Sequence, residues 1–490
     1  MDLPPFRCQN AGNEAQSLMR GDISYALTAM ANLYYHSQMH ELIFLIAFLF
    51  AASLFLVFRQ KRAVSPSDFF FAAFFVQYGI HASLTPGFLQ LREYASSAAA
   101  TYEQYLLGLT VAYLGIIFGF VFGRRVFRVN VGRGGQRVSR DREHFMWLYI
   151  FSVSLLILMV FVQGPGLPVT AEYVKFFVGL SGHEYTYIRR VMFHENPYLL
   201  ISEMFRYSLT ALVFSGWVYF LVHRKPFHAK GISMAGLLLI FIVAGMQLNK
   251  YPFVYFIAAI GLVVFYDKFF RGALLIGPGF YARSFLVILS LLFLVYFLYI
   301  VQYRALLLND EITFSEIFEL LIYRVFFASN DALRLWFEAF PSVIDHLGFN
   351  NIGLFRLFGV DYVNVTVLLP ELFLGEVLTS FQAGFVGSAY AGFGILGIII
   401  VSVIVGIIVS YADFFSATRR THFGKVVVAS VLSLNLISLT SREFHTALLS
   451  GGVLSAIMVA GLGGMLSLHL REAVGRRTLV RGFHLKTPPR

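Results

Sequence analysis

The chain of 490 residues contains one cysteine, Cys8, so it can form neither an internal disulfide framework nor a thiolate zinc cluster. Charge is scarce as well. Asp, Glu, Lys and Arg make up 13% of the residues, about half the share of an ordinary soluble domain. There is no Gly-x-x-x-x-Gly-Lys-Ser/Thr loop, which removes a nucleotide-driven pump. His-Glu-x-x-His and Gly-x-Ser-x-Gly are missing too, which argues against zinc peptidases and α/β hydrolases. No Asp-x-Asp pattern is found, and the stretch 86–104 carries only the separated Glu93 and Glu103. Metal-dependent membrane glycosyltransferases would carry an acidic pair there. Pro4, Pro5, Glu14 and Asp22 interrupt the first 40 residues, which show no signal-peptide pattern. No internal repeat or low-complexity tract stands out.

What abounds is apolar. Hydrophobic residues make up 58% of the chain, and 54 of its residues are Phe. A bilayer-crossing helix needs ~20 apolar residues. Runs of about this kind lie near 41–58, 68–85, 105–123, 145–163, 199–222, 232–248, 252–266, 284–301, 389–410, 426–440 and 448–468. These predict an all-α, polytopic membrane protein with about eleven spans in one membrane-embedded domain, 1–490. The span 252–266 reads as short, separated from its partner by only Asn249, Lys250 and Tyr251.

The basic residues fix a topology. Loops 59–66, 124–144, 223–231, 267–283, 411–425 and the tail 469–490 hold roughly two thirds of the 38 Lys and Arg, on alternate connections. The net charge of +11 therefore reflects cytoplasmic anchoring rather than a nucleic-acid site. With an odd number of spans the N-terminus lies outside and the C-terminal tail inside. Two outer loops are large: 164–198, opening on Gly164-Pro165-Gly166, and 302–388, rich in acidic residues. Within the second, 314–340 and 370–382 read as helices.

Ionisable groups beside spans on the outer side are candidate functional groups. Arg442 and Glu443 stand together in a short loop, where the guanidinium would hold the carboxylate ionised; a solvated loop with a weak ion pair explains them as well. Lys250 and Arg304 sit at span ends, and snorkelling accounts for both equally well. Arg324 and Arg334, with Asn330 and Asp331 between them, fall on one outer helix and suit bidentate phosphate contact, or pairing with local carboxylates. Arg189 and Arg190 are explained as simply by contact with anionic lipid. Glu371 and Glu376 flank an apolar pair; one would serve as a general base if burial raised its pKa. His183 and His194 lack metal-ligand spacing and read as surface residues.

In order along the chain, Gln247-Leu-Asn-Lys250, Gln302-Tyr-Arg304, Tyr323-Arg324 to Asn330-Asp331, the run Pro370 to Gly397, and Asn435 followed by Ser441-Arg442-Glu443 form a pattern. It resembles Wzy-type polysaccharide repeat-unit polymerases, including the enterobacterial common antigen polymerases, over about residues 230–470. The N-terminal 40 residues and loop 164–198 have no counterpart. The resemblance implies a GT-C-like helical membrane fold in the bacterial inner membrane with its large loop in the periplasm. It also implies transfer of a growing chain from undecaprenyl diphosphate to a hydroxyl of the next lipid-linked unit. Lys250, Arg304, Arg324 and Arg442, with Arg334, Arg189 and Arg190 as further contacts, would then stabilise the departing diphosphate. Glu443 and Glu376 compete as base, and Glu443 could instead orient Arg442. No cofactor and no metal is required on this reading. Its partners are the lipid-linked oligosaccharide, the bilayer and, by analogy, a chain-length regulator.

Two other functions remain open. An O-antigen ligase would use the same donor and place a catalytic His in its largest outer loop; within 302–388 the only His is His346. A transporter or lipid flippase would show repeat symmetry and charges buried in mid-span. Charges gathered at one side suit a surface reaction better.

Overall fold

The computed structural model describes residues 64–79, 98–127, 199–222, 230–231, 233–238, 251–271, 312–323, 328–352, 355, 358–374, 382–419, 421–448, 452–458 and 460–461, with a few positions between 289 and 307. Every regular element among them is helical. Helix α1, Pro66–Phe74, runs into a π turn, Phe75–Gly79. Then come α2 (Ala98–Val126), α3 (Leu199–Val222), α4 (Tyr251–Phe270), α5 (Phe314–Ile322) and α6 (Ala328–Ala339). A 3-10 turn, Gly348–Asn351, precedes α7 (Val365–Leu374), α8 (Gly384–Ala417), α9 (His422–Ser441) and α10 (Phe444–Leu448). Among the described residues three segments are long and apolar enough to cross a bilayer: Gln104–Val126, Gly384–Ala417 and His422–Ser441. The described residues are thus those of an all-helical membrane protein.

The expected spans 41–58 and 145–163 and the loop 164–198 lie outside the described residues. The expected span 199–222 coincides with α3. The one read as short, 252–266, is a full helix of 20 residues, because its polar end continues through Asp267 and Lys268. In the large loop the expected helix at 370–382 begins earlier, at Val365, and Pro370 lies inside it.

The tightest contact in the fold joins α2 and α8, which run parallel. Gly115, Gly119 and Gly123 on α2 face Ser402, Gly406 and Ser410 on α8. A Cβ on Gly119 would stand 2.1 Å from the Val403 carbonyl oxygen, and one on Gly406 would stand 2.2 Å from that of Ile116. Small residues four apart on both helices let the backbones touch, a packing suited to a setting in which apolar side chains gain little by leaving lipid.

Helix α9 returns antiparallel to α8 and is wrapped by α1, α3 and α4, with most of its own side chains buried. Local sequence sets the helix ends. Ser65 and Asp68 form a capping box with Pro66 in the first turn, and Thr421 Oγ1 accepts from the Gly424 amide at 3.0 Å. At one end of the bundle Ser67 Oγ donates to Asp413 at 2.7 Å, and His422 Nε2 meets Asp267 Oδ1 at 2.7 Å. Arg124, Arg125, Lys268, Arg271, Arg419 and Lys425 belong to helix ends gathered here, as the charge alternation requires of their loops. At the opposite, loop end, the Tyr78 hydroxyl donates to the Thr440 carbonyl at 2.7 Å, and α6 packs on α2 and α8.

Helix α8 is broken at Phe393–Gly394. Gly394 has φ +62 and ψ −148, a region open essentially to glycine alone, and a Cβ there would meet His346 Nε2 at 3.2 Å. Gly394→Ala is expected to destabilise the protein by about 1–3 kcal/mol, read as a lowered unfolding midpoint in detergent. An unchanged midpoint would mean that the break tolerates a side chain.

Candidate functional site

The candidate site lies at the loop end, where α9 stops. Arg442 caps the helix: its amide donates to the Ser438 carbonyl at 3.1 Å, and its own backbone is extended. This abrupt exit turns Glu443 inward, leaving it only 5% exposed. Helix α10 starts at once, with the Ala447 amide donating to the Glu443 carbonyl at 2.8 Å. Glu443 Oε2 receives Thr446 Oγ1 at 3.2 Å and faces His445 Nε2 at 3.1 Å. Its other oxygen, Oε1, is buried without a hydrogen-bond partner among the described residues. Such an oxygen is costly to leave unmet, and it marks where a donor would be received.

The surrounding shell comes from α8 and the 3-10 turn. The Phe444 amide donates to Ser388 Oγ at 3.3 Å, and Asn351 Nδ2 donates to the Ser388 carbonyl at 2.6 Å. Asn351 Oδ1 is likewise buried and unpartnered among the described residues. The Tyr362 ring stands edge-on to His445, centroids 6.1 Å apart.

A second buried carboxylate sits on α6. Asp331 is 2% exposed, and burial pushes its pKa up to about 6, against the lowering pull of a Tyr323 hydrogen bond and the Arg334 charge. Beside it, Tyr105 donates to Asn330 Oδ1, and the Arg334 guanidinium lies 6.0 Å from the Tyr105 ring. The Tyr390 hydroxyl donates to the Phe340 carbonyl at 3.1 Å, and its ring stacks on Phe337 at 3.9 Å.

A raised folded pKa means that Asp331 holds its proton in the fold while the unfolded chain loses it. Its contribution is therefore most favourable below about pH 4 and is lost as pH rises toward 6. Asp331→Asn is expected to remove this slope, a change of about 3 kcal/mol across that window, measured as denaturant midpoints from pH 4 to 7. Parallel curves for both proteins would contradict it.

Of the sequence candidates, Arg442, Glu443 and Arg334 are described, and Lys250, Arg304, Arg324, Arg189, Arg190 and Glu376 lie outside the described residues. Arg442 and Glu443 are neighbours, as expected, but the partners of the Glu443 carboxylate are His445 and Thr446 rather than the Arg442 guanidinium. The Arg334 guanidinium lies near the Tyr105 ring, and its charge acts on Asp331. Glu371 is exposed on α7. Asn435 is a structural joint: fully buried, it accepts from the Tyr255 hydroxyl and donates to the Gly452 carbonyl at 2.9 Å. His346 is exposed, its ring parallel to Phe340 at 6.1 Å.

Sequence reasoning passed over His445, Ser388, Asn351 and, as a site residue, Asp331. For His445 a signal existed: it follows Glu443 by two residues at a span end. For Ser388 and Asn351 there was none, since only the fold brings them to Glu443. Among the described residues no group of three or more His, Cys, Asp or Glu side chains is placed to hold a metal ion. Comparison with protein-family models, with curated proteins and with solved structures gives no match.

Proposed function

We propose that the chain is a glycosyltransferase of the Wzy type. It would polymerise undecaprenyl-diphosphate-linked oligosaccharide units at the periplasmic face of the bacterial inner membrane, in the making of O-antigen or a related surface polysaccharide. The observation that supports this most is the buried Glu443 carboxylate. It sits beside Arg442, has one oxygen without a partner among the described residues, and lies at the end of the bundle opposite the basic helix ends.

The reaction needs a base and fixed positive charge. Glu443 Oε1 takes the proton of the acceptor hydroxyl as its oxygen attacks the anomeric carbon of the donor chain. The bond from that carbon to the diphosphate oxygen breaks, and undecaprenyl diphosphate leaves with the electron pair. Arg442 stabilises the departing charge, with Lys250, Arg304 and Arg324 as further cations from the sequence pattern. His445 and Thr446 hold the carboxylate in position through Oε2.

The reading is tested by counting leaving groups. Purified protein in liposomes, given a lipid-linked repeat unit, should release one undecaprenyl diphosphate per glycosidic bond formed. A flippase would move the lipid and release none. A ligase would release it only when a lipid A core acceptor is supplied.

A further inference from the structure

From Gly384 to Gly392, α8 is buried on every side. Beyond the break at Phe393–Gly394 one face opens, with Phe393, Leu396, Ile400 and Ile404 exposed. Its parallel neighbour α2 opens the same way through Leu114, Phe118 and Phe122. The stretch from Phe393 to the end of α8 is about 37 Å long at a rise of about 1.5 Å per residue. This is more than the ~30 Å of a hydrocarbon core. Such a stretch is long enough to cross the core with the break at the hydrocarbon boundary on the loop end.

At that level three more Phe side chains adjoin Phe393. The Phe349 ring meets it edge-on at 5.2 Å, Phe355 lies 4.8 Å from Phe349, and Phe358 lies 6.0 Å from Phe355. Phe349 is 53% exposed and Phe358 is 75% exposed. The turn that carries them is fixed to the membrane helix and the loop. The Leu347 amide donates to the Ala391 carbonyl at 2.9 Å, and the Val363 amide donates to the Asn350 carbonyl at 2.8 Å. Four adjoining aromatic rings without a polar atom, continuous with a lipid-facing stripe, do not suit water.

We propose that Phe349, Phe355, Phe358 and Phe393 form a membrane-inserted platform whose occupant is the acyl chains of the leaflet at the loop end. The same turn holds Asn351, which binds the Ser388 carbonyl and so reaches the Glu443 shell through one residue. The platform thereby fixes the height of Glu443 over the bilayer. This rests on the membrane-spanning reading of α8 and not on glycosyl transfer, so the two can fail separately.

The test is a nitroxide attached at position 358 through Phe358→Cys in a Cys8→Ser background. The protein is reconstituted in vesicles of phosphatidylcholine and phosphatidylglycerol. Collision rates with oxygen and with a water-soluble nickel chelate are compared, with Ile400→Cys as the lipid-facing reference. Oxygen should collide more often than the chelate at position 358, as at position 400. Phe349→Cys gives a second position should the first variant fold poorly. Higher collision with the chelate would place the ring in water and overturn the platform. Low collision with both would mean that a protein partner or second copy covers it, and would overturn it equally.

Discussion

Glu443→Gln should slow repeat-unit transfer by about a hundredfold to ten-thousandfold, the range expected when a general base is removed. The amide keeps the shape of the side chain and can still accept from Thr446, so the folded protein and its substrate affinity should change little. Loss in kcat with KM nearly constant is the expected split. Thr446→Ala, which removes one support of Oε2, should cost less, since His445 still faces that oxygen. Kinetics with purified variants and an authentic lipid-linked unit check both. A normal rate in Glu443→Gln would remove Glu443 from the chemistry and leave Asp331, the other buried carboxylate at this end, as the next base to test.

The second large effect is on stability. Gly119→Leu drives a side chain into the Val403 carbonyl, which a Cβ alone would approach to 2.1 Å. The obstruction is backbone, so no rotamer relieves it, and α2 and α8 must separate along their whole contact. Overpacking of a core costs about 1–3 kcal/mol, and this substitution should sit at or above the top of that range. Gly261→Ala on α4 is the matched control, because its Cβ would meet nothing within 4 Å. It should be neutral or should stabilise by about 0.5–1 kcal/mol, as alanine favours helix over glycine. Unfolding of reconstituted protein measures both. Equal midpoints for Gly119→Leu and wild type would mean that the two helices are not in backbone contact.

The sequence made much of the bundle legible, and the exceptions have physical causes. Apolar length locates α3 and, over 426–440, the apolar part of α9, whose first turn carries the polar His422 and Lys425. The start of α8 was placed five residues late, at 389 rather than Gly384. Gly384, Gly387 and Ser388 dilute the hydropathy there, and they can do so because that part is buried in protein rather than lipid. Helix α4 was read short because Asp267 and Lys268 end the apolar window, yet Asp267 is a buried partner of His422. The Gly115, Gly119, Gly123 spacing is a helix-contact pattern legible in the sequence itself.

The site was legible only in part. The adjacency of Arg442 and Glu443 was plain, but adjacent side chains at a helix exit diverge. The carboxylate finds its partners two and three residues on, in α10. Asp331 read as a spacer between two arginines because its burial comes from long-range packing of α6 against α2 and α8, which no local pattern encodes.

The most direct measurement is polymerisation in vitro. Purified wild-type protein is given its lipid-linked repeat unit with and without EDTA, and the products are resolved on a gel beside those of Arg442→Ala and Glu443→Ala. A ladder of regular spacing that survives EDTA and vanishes in both variants is the expected result. Well-folded protein that yields no ladder from authentic substrate would contradict the polymerase reading, and a ladder that persists in both variants would contradict the site.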